Sequence, residues 1–235
     1  MTAVAVSFDF GQTLAELDTG LLSLRLAERG VDAPPERLEG AVADAWRAYD
    51  AAVHAGHGGH PWKILMTRLL EGAGVQPGAV QGAVDWLWTE QPRRNLWRRP
   101  IPGMIEVVSA LRQVGVPVAV LSNSEGRLAE LAEELAWTTH FIAIADSGKL
   151  GFEKPGREIF AWTAEQLGAP LEGVVHVGDS LAADVEGALA AGMRAVWFRG
   201  DLARAARMDA AGRLAVAGDA AELRAALAAF GLPIG

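Results

Sequence analysis

From Gly103 onward, short continuous apolar runs alternate with longer segments of helical period, and this alternation restricts the possible folds more than any other feature of the chain. MIEVVSALRQVG, EGRLAELAEELAW, GREIFAWTAEQLG and SLAADVEGALAAG repeat apolar residues every three or four positions, as an amphipathic helix does. Between and after them lie VPVAVLS, HFIAIAD, GVVHVG and MRAVWF, which are too short for helices and rich in β-branched and aromatic residues. Strands joined through helices lie parallel, because only a crossover of a dozen or more residues brings the chain back in the same direction. The alternation therefore predicts a mostly parallel sheet with helices on both faces. RLAVAG is a late strand candidate, and DAAELRAALAAF opens with Asp219 and Glu222 in capping-box spacing.

Ahead of Gly103 the pattern is different. Val4–Phe8 is a short β-prone run that ends at Asp9. From Leu14 to about Leu96, LLSLRLAERG, LEGAVADAWRAYDAAV, PWKILMTRLLEGAG and GAVQGAVDWLWTEQ all read as helix, with no strand among them. Pro92, Pro100 and Pro102 punctuate the return to the alternating pattern and mark a boundary or hinge. The economical topology places Val4–Phe8 in one sheet with Val116–Leu121 and Val174–Val177, interrupted by the helical module. The expected fold class is α/β. Its Rossmann-like, three-layer α/β/α core comprises residues 1–15 and 99–235, and the all-helical insertion at 16–98 is expected to cover the carboxyl ends of the strands, where open parallel sheets bind ligands.

Lys and Arg number 21 against 29 Asp and Glu, a formal charge of −8, which disfavours a broad nucleic-acid or anionic-membrane surface. The apolar fraction of 51% sustains a substantial core. Without cysteine there is no disulfide framework, thiol nucleophile or thiolate metal site. The apolar run before Asp9 is too short for a signal peptide or a membrane span, and the expected compartment is the cytoplasm. Monomer and homodimer both stay open.

Four pieces place polar groups just after predicted strands: Asp9 with Thr13, Ser122 with Asn123, Lys154, and Asp179 with Asp184. In a parallel sheet these positions converge on one edge. Asp9 and Asp179 together suit a hard divalent cation such as Mg²⁺, which takes oxygen ligands. Lys154 and Ser122 then suit an oxyanion beside that cation. Asp9 is also a potential in-line nucleophile, able to form an acyl-phosphate when nearby cations neutralise the developing charge. Asp184 lies about a turn into the following helix, placed to orient metal-bound water or Lys154. Singly, an Asp after a strand serves as readily as a turn or cap residue. The ordered set of four is what points to chemistry.

SFDFGQTL, VAVLSNS, the lysine of GFEKPGREIF, and VHVGDSLAADVEGALAAGM resemble, in order, the four motifs of the haloacid dehalogenase superfamily. The chain is most similar to phosphatase-like members with a helical C1-type cap after the first strand. The resemblance implies that Asp9 is nucleophile and metal ligand and that Gly11 lends its backbone carbonyl to the metal. It places Thr13 in the loop closing the first motif, gives phosphoryl binding to Ser122 with Asn123 beside it, and gives Lys154 stabilisation of Asp9 and substrate. It also implies that Asp179 ligates Mg²⁺ with Asp184 beside it, and that the partner is a small phosphorylated molecule.

One position departs from that pattern. Phosphatases of this family carry a second Asp two residues after the nucleophile, where this chain has Gly11. Glycine has no proton to give, and Gln12, in place of the customary glycine, is an amide that cannot serve as the acid. Three outcomes stay open: a cap group replaces the acid, the reaction is a phosphonate or carbon–halogen type that needs none, or the protein is a weakly active or inactive binding or regulatory member. In the cap, His54, His57 and His60 recur every three residues in HAGHGGH and are candidates for substrate contact or a substitute acid. Lys63, the cap's only lysine, reads as a solvated helix residue. Trp46, Trp62, Trp86, Trp88 and Trp97 read mostly as cap core. Arg93, Arg94, Arg98 and Arg99 read as a solvated stretch beside the hinge or as an attractor of anions.

Overall fold

The computed structural model describes residues 3–56, 61–208 and 211–234. The chain opens with β1 (Ala5–Phe8), which is fully buried, and then β2 (Ala15–Leu17). Four helices follow, α1 (Thr19–Ala27), α2 (Pro35–His54), α3 (Trp62–Gly72) and α4 (Pro77–Glu90). Next come β3 (Trp97–Pro100), α5 (Met104–Gln113), β4 (Val118–Ser122), α6 (Leu128–Glu134), β5 (Ala143–Asp146), α7 (Ser147–Leu150) and α8 (Arg157–Gln166). The last elements are β6 (Val174–Gly178), a π-helical turn at Leu181–Glu186 leading into α9 (Gly187–Ala191), β7 (Arg194–Phe198), α10 (Leu202–Met208), β8 (Leu214–Ala217) and α11 (Ala220–Ala229).

Six strands form one sheet in the order β5-β4-β1-β6-β7-β8, with parallel pairing throughout. β1 therefore lies between β4 and β6, as the sequence pattern predicts. Its register sets Phe8 against Val120 on one side and Val177 on the other, so Asp9, Ser122 and Asp179 emerge at the same carboxyl edge. Burial on both faces explains the near-continuous apolar text of these strands. On one side Leu121, Ile159, Phe160, Val174, Leu181 and Val185 close a core of buried side chains. At α11, Asp219 Oδ1 accepts from the amides of Ala221 and Glu222 while Glu222 Oε2 accepts from Gly218 N, which realises the capping signal.

The chain separates into two compact units, Met1–Glu16 with Arg99–Gly235, and Leu17–Arg98. The second is the cap-like helical insertion. Its interior is built from Leu22, Leu26, Leu38, Leu65, Met66, Leu69, Leu70 and Trp62, whose ring lies 5.3 Å from that of Trp88. Trp46 meets Tyr49 and Trp97 edge-on, so these tryptophans do serve as packing. Lys63 is half exposed and ion-paired to Asp85 at 2.6 Å, as a solvated helix lysine should be. Arg94 makes a bidentate pair with Glu28.

One expectation is corrected. The stretch from Leu14 to Leu96 is not free of strands, because β2 occupies Ala15–Leu17 and pairs with β3 as a two-stranded ribbon. Three residues are too few to show a period, and the pairing partner is some 80 residues away, so nothing local announces it. No helix among the described residues is long and apolar enough to cross a membrane.

Candidate active site

The loop after β1 is held by its own backbone. Asp9 N donates to Val177 O at 2.8 Å, which extends the ladder one residue past the strand. Leu14 N and Ala15 N both donate to Phe10 O, and Gln12 N donates to Ala15 O, closing a tight turn. Gln12 sits at φ 58°, in the left-handed region that favours glycine. The side chain of Asp9 is thereby fixed at the sheet edge and is 6% exposed.

Lys154 provides the counter-charge. Its Nζ donates to Asp9 Oδ1 at 2.5 Å, to Asp184 Oδ1 at 2.6 Å and to Leu121 O at 3.1 Å, so all three ammonium protons are engaged. Asn123 anchors the lysine's main chain by a reciprocal pair: Lys154 N donates to Asn123 Oδ1 at 2.8 Å, and Asn123 Nδ2 donates to Lys154 O at 2.9 Å. Asn123 therefore locks the β4 loop to the lysine-bearing segment. The same loop is pinned again by Asp146, which accepts from the amides of Gly126, Leu128 and Gly148.

Asp184 is carried by the π-helical turn after β6 and is 1% exposed, so it does not point to solvent. Its Oδ2 accepts from Ser180 N at 2.9 Å, and its Oδ1 also takes His176 Nε2 at 3.0 Å. Asp179 follows β6 directly, and its carbonyl accepts from the Trp197 indole at 2.8 Å. Asp9, Asp179 and Asp184 each bring a carboxylate oxygen within 4.8 Å of the others. This all-oxygen donor set suits a hard divalent cation. Three carboxylates against one ammonium also leave a formal charge of −2 in a largely buried site, which a divalent cation would balance.

The ionisation pattern follows the geometry. Burial pushes the Asp9 carboxyl up and the charge of Asp184 adds to this, outweighing the attraction of Lys154. Burial also acts on Asp184, but Lys154 and the His176 hydrogen bond prevail and hold it at about 2. Lys154 loses by burial and gains more from Asp184 and Asp9, so its ammonium is held above the ordinary lysine range.

Asp9, Lys154, Asp179 and Asp184 are thus brought together, with Asn123 engaged through the Lys154 backbone. Thr13 and Ser122 are buried at 0% and 6% exposure, and the Thr13 hydroxyl has no partner among the described residues. Gly11 is partly buried and bridges to Ala15 through its backbone. His54 is not part of this cluster: it ends α2 in the helical unit, where its Nδ1 donates to Asp50 O at 2.9 Å. His57 and His60 lie outside the described residues. Two residues that sequence reasoning missed are Ser7 and His176, fully buried and hydrogen-bonded to each other across β1 and β6. The available signal was one polar residue in each of two otherwise apolar strands that flank the site.

The family model for haloacid dehalogenase-like hydrolases matches residues 5–192, most of the chain and every residue of the cluster. The chain belongs to the haloacid dehalogenase-like hydrolases. Among curated relatives it is 38% identical to a phosphoglycolate phosphatase of Agrobacterium fabrum over 84 residues, covering 35% of this chain and 36% of that one. It is 32% identical to a glyceraldehyde 3-phosphate phosphatase of Methanopyrus kandleri over 143 residues, covering 60% and 59%. The matches therefore span one third to three fifths of these relatives' length. Among solved structures, a haloacid dehalogenase family hydrolase of Deinococcus radiodurans with bound phosphate and sodium is similar over 98% of this chain and 97% of its own, at 27% identity and a TM-score of 0.65. The magnesium-bound YfnB of Bacillus subtilis shares the fold at 19% identity and a TM-score of 0.70, covering 97% and 99%.

Proposed function

We propose that this haloacid dehalogenase-like hydrolase cleaves a small phosphomonoester through an aspartyl-phosphate on Asp9. The observation that carries the reading is the buried Asp9–Lys154–Asp184 triad with Asp179 within reach. Phosphatases among the relatives, and the phosphate held by the Deinococcus radiodurans hydrolase, support it.

In the first step an Asp9 carboxylate oxygen bonds to phosphorus as the ester P–O bond breaks, and the electron pair leaves on the departing oxygen, which takes a proton. In the second step a water oxygen bonds to phosphorus and gives up a proton. The acyl-phosphate bond breaks, releasing phosphate and restoring the carboxylate. Lys154 holds Asp9 in place and meets the phosphoryl oxygens by releasing Leu121 O, the longest of its three bonds. The Ser122 hydroxyl and the unpartnered Thr13 hydroxyl supply further donors at the same edge. Mg²⁺ held by Asp9, Asp179, Asp184 and the Gly11 carbonyl would neutralise charge on the transferring group. The helical unit acts as the cap, and His54, His57 and His60 are the candidate source of the leaving-group proton.

A second reading, a weakly active binding or regulatory protein, is favoured by Gly11. Turnover of a broad phosphometabolite panel with Mg²⁺ separates the two. The hydrolase reading expects at least one substrate to be turned over well above an Asp9→Asn control, and no such substrate would remove it. Single His→Ala replacements then test the proton source, by loss of the acidic-group limb in the pH profile of kcat.

A further inference from the structure

A histidine in the middle of a buried parallel strand is costly unless both ring nitrogens are satisfied. His176 is 0% exposed on β6, and its ring packs edge-on against Phe160 at 5.4 Å. Its Nε2 lies 3.0 Å from Asp184 Oδ1 and its Nδ1 lies 2.9 Å from Ser7 Oγ. The Asp184 carboxylate already accepts from Lys154 Nζ and Ser180 N, so it faces the ring as an acceptor and Nε2 carries a proton; in the neutral ring Nδ1 then accepts from the Ser7 hydroxyl. Ser7 and His176 are register partners on β1 and β6, so two adjacent strands jointly set the ring's orientation.

Asp184 shows what that orientation achieves. Its Oδ1 takes Lys154 Nζ and His176 Nε2, which use both lone pairs, while Oδ2 takes one bond from Ser180 N. A carboxylate fastened on both oxygens cannot rotate, and the only acceptor capacity left lies on Oδ2. We propose that the Ser7–His176 pair is a positioning device that fixes the Asp184 carboxylate, so that Lys154 is held against Asp9 and one defined oxygen remains for the divalent cation. The pair touches neither substrate nor ion. The inference rests on the proposed ion site, since Asp184 acts there.

The test uses the full chain and the variants His176→Leu, His176→Gln and Ser7→Ala. Outer hydrogen-bond partners of metal ligands are typically worth about 10–100-fold in metal affinity. Mg²⁺ affinity by titration calorimetry is therefore expected to fall about 10–100-fold in His176→Leu. It should be restored to within about threefold of wild type in His176→Gln, whose amide nitrogen can take the place of Nε2–H. Ser7→Ala is expected to lose a few-fold, and it carries the test if His176→Leu does not fold. A purely packing role would lower stability and leave Mg²⁺ affinity unchanged, and that result overturns the proposal. Crystal structures of the same variants without Mg²⁺ give a second, metal-independent reading. The proposal expects the Asp184 carboxylate to turn away from Lys154 Nζ in His176→Leu, or in Ser7→Ala if that variant carries the test, and an unmoved carboxylate contradicts it. If wild type binds no Mg²⁺, the ion site fails, and the carboxylate orientation still decides the positioning role.

Discussion

At the residue scale the chemistry turns on what stands at Gly11 and on how Asp9 is charged. One acid–base catalyst contributes about 10²–10⁴-fold. Gly11→Asp is accordingly expected to raise phosphomonoesterase turnover by about that factor, measured as phosphate release from the best panel substrate. Loss of activity instead would mean that the native reaction depends on glycine there. Asp9 is raised above the ordinary carboxylate range by burial, so cation binding must displace its proton at low pH. Mg²⁺ affinity is expected to weaken as pH falls through the Asp9 transition, by up to about tenfold per pH unit, with proton release visible as a buffer-dependent enthalpy. Asp184 adds nothing to that trend. Its folded value of about 2 is depressed, so the stability it contributes is present above its unfolded value near 4 and is lost only as pH falls towards 2. Asp9 and Asp179 were legible in the sequence because each directly follows a strand pattern, and Lys154 and Asp184 because they complete the ordered set of motifs. His176 and Ser7 were not, because their pairing depends on strand register and a lone polar residue in a strand carries no sign of its partner.

At the element scale, close backbone approach fixes where these side chains can sit. A Cβ on Gly178, the last residue of β6, would lie 2.3 Å from Asp184 Cγ and 2.5 Å from Asp184 Oδ2. The π-helical turn is thus folded directly back over the strand end, and no side chain fits between them. Gly178→Ala is expected to lower stability by about 1–3 kcal/mol in urea denaturation, the usual cost of overpacking, and to weaken Mg²⁺ binding by displacing Asp184. Unchanged binding would show that Asp184's placement is not set by this contact. The strands of the large sheet were readable because burial on both faces writes them as continuous apolar runs. The π-helical character of Leu181–Glu186 was not, because SLAADVEGALAAG has ordinary helical spacing and the wider turn is imposed by Asp184 meeting Lys154, Ser180 and His176.

At the scale of the whole molecule, the chain joins a discontinuous α/β unit to a contiguous helical one, each with its own core. The three carboxylates and Lys154 all belong to the α/β unit, so Mg²⁺ should stabilise that unit alone. At a concentration 100 times its dissociation constant a ligand adds about 2.7 kcal/mol, or about 5–10 °C for a unit of this size. Scanning calorimetry is expected to show the transition of the α/β unit rising by that amount and returning with EDTA, while a transition of Leu17–Arg98 stays in place. The insertion was legible as a change of hydrophobic period near Leu14, whereas its β2–β3 ribbon was not, because three- and four-residue strands are recognised only through their distant partners. The net charge of −8 would be no obstacle to an anionic substrate, because Lys154 and a cation held by the three carboxylates would set the local field. Whether Asp9 is the nucleophile of a metal-dependent phosphoryl transfer is decided by a crystal structure with Mg²⁺ and beryllium trifluoride, a phosphoryl mimic. Beryllium is expected bonded to an Asp9 carboxylate oxygen, with Mg²⁺ contacting Asp9 and Asp179, and Ser122 and Lys154 donating to the fluorines. A mimic bound away from Asp9, or none bound with Mg²⁺ in place, would contradict that role.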